Sequence, residues 1–93
     1  MDRFGELTVF LAVVEAGSFS AAARQLGRTP STISKLVARI ERRLGTRLFD
    51  RIGSAIRLTR EGELFADHGR RVFDAMNDAE ETVRTSRGAT HGR

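Results

Sequence analysis

The chain has 93 residues, 40% of them hydrophobic, a net charge of +4 and no cysteine. A chain of this length forms one domain with a modest core, and the absence of thiols excludes disulfides and thiolate metal sites. The longest apolar run, residues 9–14, is too short to span a membrane and the N-terminus has no signal-peptide pattern, so we expect a soluble, cytoplasmic protein without a membrane partner.

The first predicted element is an amphipathic helix over residues 3–16, which Gly17 ends. Its apolar residues repeat at helical spacing and are Phe4, Leu7, Phe10, Leu11, Val13 and Val14. We expect this stripe to lie in the core of the domain.

The next stretch predicts a helix-turn-helix. Ser18 is a good N-cap for a first helix, and Gly27 can take the left-handed conformation that ends it. Thr29 then caps a second helix with Pro30 at its first position, where the missing N–H costs no hydrogen bond. This second helix is expected to continue to Gly45.

The residues inside the two helices suit a close crossing. Ala23 is small enough to let the second helix approach, and Ile33 and Leu36 fill the gap between the helices. Such a unit usually lays its second helix in the major groove of DNA.

Positive charge is concentrated around this second helix. Between Arg24 and Arg60 there are ten basic and two acidic residues, a local net charge of +8 against +4 for the whole chain. Arg39, Arg42 and Arg43 lie off the predicted apolar stripe and are expected to face outward. A basic block of this kind is typical of a phosphate-binding face. The alternative, a solvated Arg-rich surface, explains neither the segregation of charge nor its coincidence with the helix pair.

Two short strands are predicted at 48–51 and 56–58, separated by Ile52, Gly53, Ser54 and Ala55. A Gly-Ser tip between two short strands indicates a small hairpin, or wing.

A long helix is predicted from Thr59, its N-cap, to about residue 85. Two heptad series interleave along it and predict a seam for a partner helix, which consists of Phe65, Gly69, Val72, Met76, Ala79 and Val83. Leu64 and Phe73 lie beside the seam and are expected to dock on the domain's own core. The alternative, a helix that wraps only its own core, leaves the end of the seam uncovered. The predicted organisation is therefore a DNA-binding domain at 1–59, a linker helix at 60–85 and a disordered tail at 86–93.

Three motifs, GSFSAAARQLG, TISKLVARIERRLGTRLFDR and LTREGELF, resemble the N-terminal domain of LysR-type transcriptional regulators, in the right order and over residues 2–87. The resemblance implies a mainly α fold: a winged helix-turn-helix of three helices and a small two-stranded β wing, followed by a long dimerisation helix. It also implies binding of double-stranded DNA at an interrupted inverted repeat, as a homodimer whose linker helices pair antiparallel.

The candidate DNA-binding residues follow from the start of the second helix and from the wing. We expect four residues to approach base edges, namely Ser31, Thr32, Ser34 and Lys35. We expect the phosphate and wing contacts to come from Arg28, Thr29, Pro30, Arg39, Arg51, Ser54 and Arg57. Family members commonly have Gln at the position of Pro30, and many have Arg at the position of Ser54.

Other functions are disfavoured by the residues present. The two histidines, His68 and His91, cannot be assembled with a nucleophile and an orienting group, so we expect no enzyme, no cofactor and no metal. A pure protein-interaction module, built on the heptad helix alone, is the stronger rival. Members of the family continue into an effector-binding region, so the chain is either a fragment of a longer regulator, which we favour, or a short relative. In either case we expect no small-molecule effector site within it.

Overall fold

The computed structural model describes residues 1–53 and 55–91, and these residues form four helices and one antiparallel strand pair. The elements in chain order are α1 (Arg3–Ala16), α2 (Phe19–Leu26), α3 (Pro30–Leu44), β1 (Phe49–Ile52), β2 (Ala55–Leu58) and α4 (Arg60–His91). The prediction of a mainly α fold with a small wing is confirmed. No helix among the described residues is long and apolar enough to cross a membrane.

The helix ends are set by side-chain caps and glycines. The hydroxyl of Ser18 accepts from the N–H of residue 21 at 3.0 Å, and the hydroxyl of Thr29 accepts from the N–H of residue 32 at 3.2 Å. Gly17, Gly27 and Gly45 end the first three helices with φ of 80°, 66° and 73°, a region that other residues rarely adopt. The predicted ends of these three helices are confirmed.

Helix α1 lies at the centre of the domain and packs against the other three helices. The ring of Phe10 is fully buried and contacts the rings of Phe49 at 5.3 Å and Phe65 at 4.9 Å between centroids. The core consists of Leu7, Val9, Phe10, Val13, Ala22, Ala23, Ile33, Val37, Ile40, Leu48, Phe49 and Ala66. The helix crossing is as predicted, with Ala23 and Ile33 buried at it.

The wing is a hairpin with two residues between its strands. Ile52 pairs with Ala55 next to the turn, and Phe49 pairs with Leu58 at the other end. The strands therefore reach one residue closer to the tip than predicted, because Gly53 has a φ of 62° and allows a tighter turn. Ser54, predicted at the wing tip, lies outside the described residues.

Helix α4 begins at the predicted cap. The Thr59 hydroxyl accepts from the N–H of Gly62 at 3.0 Å and donates to the carbonyl oxygen of Arg47 at 2.7 Å. The helix then continues to His91, so the prediction of a disordered tail is wrong for residues 86–91, while 92 and 93 lie outside the described residues. No proline follows residue 85 in the sequence, and Gly88 lies within the helix.

The first part of α4 belongs to the domain itself. Gly62 and Ala66 are buried, and the ring of Phe73 contacts the ring of Phe4 on α1 at 4.6 Å between centroids. The predicted boundary between residues 59 and 60 therefore separates segments that share one core. The expectation that Phe73 docks on that core is confirmed.

Candidate nucleic-acid interface

One side of α3 is open to solvent. Ile33, Val37 and Ile40 are buried on the side that faces the core. The opposite side carries short polar and long basic side chains that are all exposed, and these are Ser31, Lys35, Arg39 and Arg42. Because residues three or four apart share a helix face, these side chains form one ridge along α3. We call these four residues the α3 ridge.

The N-terminal turn of α3 is held by its cap. Besides accepting from the Thr32 N–H, the hydroxyl of Thr29 lies 2.9 Å from the hydroxyl of Thr32. Thr32 is therefore half-buried and turned toward the cap, whereas Arg28, Thr29 and Pro30 are exposed beside it. The first backbone N–H groups of a helix have no helical partner and favour negative charge, so this end suits a phosphate.

The wing lies next to α3 and is linked to it by Arg51. One terminal nitrogen of Arg51 donates to the Ser34 hydroxyl at 2.9 Å, and its guanidinium lies 4.7 Å from the centroid of the Phe19 ring on α2. Arg51, predicted as a wing contact, and Ser34, predicted near base edges, are thus in contact with each other. Arg57 is exposed on β2, opposite Asp50 in the strand register.

Two acidic residues without a predicted role, Glu6 and Glu41, hold this surface against the rest of the domain. Glu6 is buried on α1 and accepts from Arg43 at 2.8 Å, so Arg43 is exposed as expected but is also paired with an acid. The carboxylate of Glu41 accepts from the backbone N–H groups of Leu48 and Phe49 at 2.8 and 3.4 Å. These contacts fix the end of α3 against α1 and against the start of the wing.

Arg47 also makes contacts within the domain. Its Nε lies 3.5 Å from the Glu41 carboxylate, and its terminal nitrogen donates to the Phe49 carbonyl oxygen at 3.3 Å. Within the basic block, Arg43 and Arg47 therefore pair with acidic residues. The basic side chains of the α3 ridge and of the wing are exposed to solvent. A lone acid inside an apolar stripe, as at Glu6, is the signal in the sequence that could have revealed the first of these pairs.

The seam predicted on α4 is only partly exposed. The Phe65 ring packs on Phe10, and Gly69 is buried so closely against α1 that an added Cβ would lie 2.7 Å from Leu7 Cδ1. These two residues therefore contact the domain's own α1, although Phe65 also lines a shallow depression of the surface. Leu64, expected to dock on the core, is instead 52% exposed.

The heptad pattern did not reveal these contacts because the first turns of α4 serve two surfaces. A helix that packs on its own domain along one face and is open along another carries apolar residues on both, and spacing alone does not tell the faces apart. The open apolar face, which we call the α4 stripe, consists of Leu64, Val72, Met76, Ala79 and Val83. His68 lies on the same side and is also exposed.

Among the described residues, no group of three or more histidine, cysteine or acidic side chains is placed to hold a metal ion. The fold and the exposed α3 ridge beside a wing define a winged helix-turn-helix protein. Residues 4–63 match the model of the bacterial regulatory helix-turn-helix proteins of the lysR family. The chain belongs to the LysR family.

Relatives and solved structures agree with this assignment. Over its whole length, the chain is 35% identical to the probable HTH-type transcriptional regulator LtrA of Klebsiella pneumoniae, and it covers 30% of that protein. It is similar to the protein in the CbnR_DBD–DNA complex (TM-score 0.80, 31% identity, 92% of this chain and 98% of that one). It is also similar to the protein in the BenM_DBD/catB site 1 DNA complex (TM-score 0.83, 27% identity, 94% and 95%). The chain spans less than two thirds of the length of the curated relatives that it matches.

Proposed function

We propose that this chain binds double-stranded DNA with α3 in the major groove, as the DNA-binding part of a transcriptional regulator in the cytoplasm, and that it is not an enzyme. The exposure of the α3 ridge is the observation that supports DNA binding most directly. Its side chains stand opposite the buried face of the helix, so the helix can enter a groove without disturbing the core. An α-helix with its side chains is about 10–12 Å across, which fits the width of the B-DNA major groove, about 12 Å.

Within this arrangement the ridge residues have different tasks. Ser31 and Lys35 stand nearest the N-terminus of α3 and reach base edges, where Lys35 can donate to guanine. Arg39 and Arg28 meet phosphates on either side of the groove, and Arg57 does so from the wing. The first turn of α3 adds the backbone N–H of Ser31 as a donor for a further phosphate, because Pro30 has no N–H and the Thr32 N–H is taken by the cap.

We further propose that two copies pair through the α4 stripe. Leu64 and Val83 are equally distant from the midpoint between residues 73 and 74, and so are His68 and Ala79, while Val72 and Met76 are nearly so. A stripe that is symmetric about its own midpoint matches a second copy of itself in antiparallel orientation, as a two-fold interface requires. The heptad spacing along α4 likewise indicates that a second helix packs side by side with it.

The shape of the surface near the start of α4 suits this pairing. Leu44, Thr46, Leu64 and His68 border a shallow, mainly apolar depression of about 290 Å³. In the antiparallel register, Val83 of a second copy lies opposite Leu64 and can enter this depression. The pair then presents two copies of α3 to two half-sites of an inverted repeat, with the spacing set by the dimer.

Duplex binding across a series of salt concentrations tests the first proposal. Log affinity should fall linearly with log salt, and Arg39→Ala should reduce the slope by about one. Arg71→Ala is a matched control, because Arg71 lies on α4 and pairs with Asp67 at 2.7 Å, away from α3. A flat salt response would contradict the proposal, as would a chain that dimerises but binds no duplex.

A further inference from the structure

Arg51 stands at the junction of three elements. It comes from β1, donates to Ser34 on α3 at 2.9 Å and lies over the Phe19 ring of α2 at 4.7 Å. Phe19 is itself held by an edge contact with the Phe49 ring at a centroid distance of 6.0 Å. The guanidinium is therefore fixed by a hydrogen bond and by a cation–π contact, and both partners belong to the helix-turn-helix.

The hydrogen bond from Arg51 determines whether the Ser34 hydroxyl donates to or accepts from a further partner. A hydroxyl has one proton to donate and two lone pairs that can accept. Arginine can only donate, so Arg51 occupies a lone pair of Ser34 and leaves the hydroxyl proton pointing elsewhere. Within residues 1–53 and 55–91, no acceptor takes that proton.

The charge of Arg51 strengthens this assignment. A hydroxyl that accepts from a cation becomes a better donor and a poorer acceptor, because linked hydrogen bonds polarise one another. The same cation repels any further donor that approaches Ser34. Ser34 is thus prepared to donate to an acceptor on a partner and not to accept from a donor.

We infer that Arg51 is a positioning residue for base recognition, which makes Ser34 a hydrogen-bond donor and so disfavours cytosine at the base that Ser34 faces. This inference rests on the proposed placement of α3 in the major groove. There guanine, adenine and thymine each present an acceptor, whereas cytosine presents only the N4 donor. Arg51 acts through Ser34 on sequence preference, beyond the uniform attraction that any basic side chain exerts on phosphate.

Four variants test the inference in competition binding with duplexes that differ at single base pairs. Ser34→Ala identifies the base pair whose preference depends on the hydroxyl. Arg51→Met, which keeps an unbranched stem over Phe19 but removes the donor and the charge, should lower the preference at the same base pair about fivefold, the ratio expected of one net hydrogen bond. The double variant should lose no more preference than either single variant, since both remove one coupled interaction.

Arg57→Met is the matched control, because it removes an equal charge from the other wing strand at a residue whose side chain makes no hydrogen bond or ion pair within the described chain. It should weaken binding to all duplexes alike and leave the preference unchanged. If Arg51→Met behaves in the same way, Arg51 only attracts phosphate and the inference is wrong. If Ser34→Ala alters no preference, the inference is also wrong.

A measurement without DNA separates this inference from the proposed function. Side-chain NMR of the free protein should show slower guanidinium rotation for Arg51 than for Arg57, and Ser34→Ala should release it. Equal rotation of the two arginines overturns the inference even if the chain binds DNA with high preference. A wild-type chain with restricted Arg51 that binds no duplex refutes the proposed function, and the role of Arg51 in base preference falls with it.

Discussion

Replacing Gly62 by alanine should destabilise the domain, whereas the same substitution at Gly69 should leave its stability nearly unchanged. Both glycines are buried inside α4, and alanine in a helix interior is favoured over glycine by about 1 kcal/mol. Gly69 lies in the helix interior and gains this in full, whereas Gly62, the third residue of α4, gains at most as much, so what the new methyl group meets decides the difference between them.

At Gly62 the methyl group meets backbone. It would collide with the carbonyl oxygen of Leu48, which accepts from the N–H of Thr59 at 3.0 Å and cannot move without loosening the start of α4. Overpacking of this kind costs about 1–3 kcal/mol, and a lost backbone hydrogen bond adds about 1 kcal/mol. After the gain in propensity, the expected net loss is about 1–3 kcal/mol.

At Gly69 the methyl group meets the end of a flexible side chain. Its closest neighbour would be Leu7 Cδ1 at 2.7 Å, followed by Leu7 Cγ at 3.4 Å. A shift in the Leu7 rotamer costs on the order of 0.5–1.5 kcal/mol, which roughly cancels the gain in propensity.

Unfolding of both variants should be followed at one protein concentration, because the stability of a dimer depends on concentration. A loss of 1 kcal/mol lowers the Tm of a domain of this size by about 4–8 °C. Gly62→Ala should show at least such a decrease, and Gly69→Ala should unfold within a few degrees of the wild type. Equal midpoints for the two variants, or a more stable Gly62→Ala, would refute the role of the close approach at Leu48.

Further substitutions test the remaining parts of the interface. Lys35→Ala should cost about 1–3 kcal/mol of binding at one preferred base, and equal weakening on random duplex would assign Lys35 to phosphate. Glu6→Gln should lower the free energy of unfolding by about 1–2 kcal/mol, less than for a fully buried ion pair because the Arg43 side chain is 39% exposed; an unchanged denaturant midpoint would contradict this. Val72→Glu should give monomers in sedimentation, and a persistent dimer would exclude the α4 stripe as the interface. Ser54→Arg should raise affinity for sites with a narrow, A·T-rich minor groove, and no change would mean that the tip lies away from it.

Local signals in the sequence were sufficient for the helices and the turn. A cap such as Thr29 and a terminator such as Gly27 act within a few residues, so their effects can be predicted without knowledge of the fold. The same holds for the crossing at Ala23, where size alone decides how closely two helices approach. The start of α4 at Thr59 was predictable for this reason, whereas the continuation of the helix beyond residue 85, through Gly88, was not.

Contacts between distant residues were not predictable in the same way. The pair of Glu6 and Arg43 joins α1 to the last turn of α3, and Arg51 reaches Ser34 across 17 positions of sequence. The heptad pattern predicted the open end of α4 but did not reveal that Phe65 and Gly69 pack against α1. Which face of an apolar helix meets its own domain depends on the packing of α1, and the periodicity of α4 contains no information on that.

The anchoring of α4 has a consequence for how binding sites can evolve in this lineage. The helix is 32 residues long, roughly 48 Å, and its first turns are fixed in the core, so no hinge separates the DNA-reading surface from the α4 stripe. Each residue inserted after Phe73 would turn the distal half of the stripe by about 100° and advance it by about 1.5 Å. In the proposed dimer, only insertions close to a whole number of helical turns, such as about 7 or about 11 residues, keep that half in phase. The distance between the two half-sites can therefore change only in discrete steps. A single inserted residue cannot produce the intermediate distances.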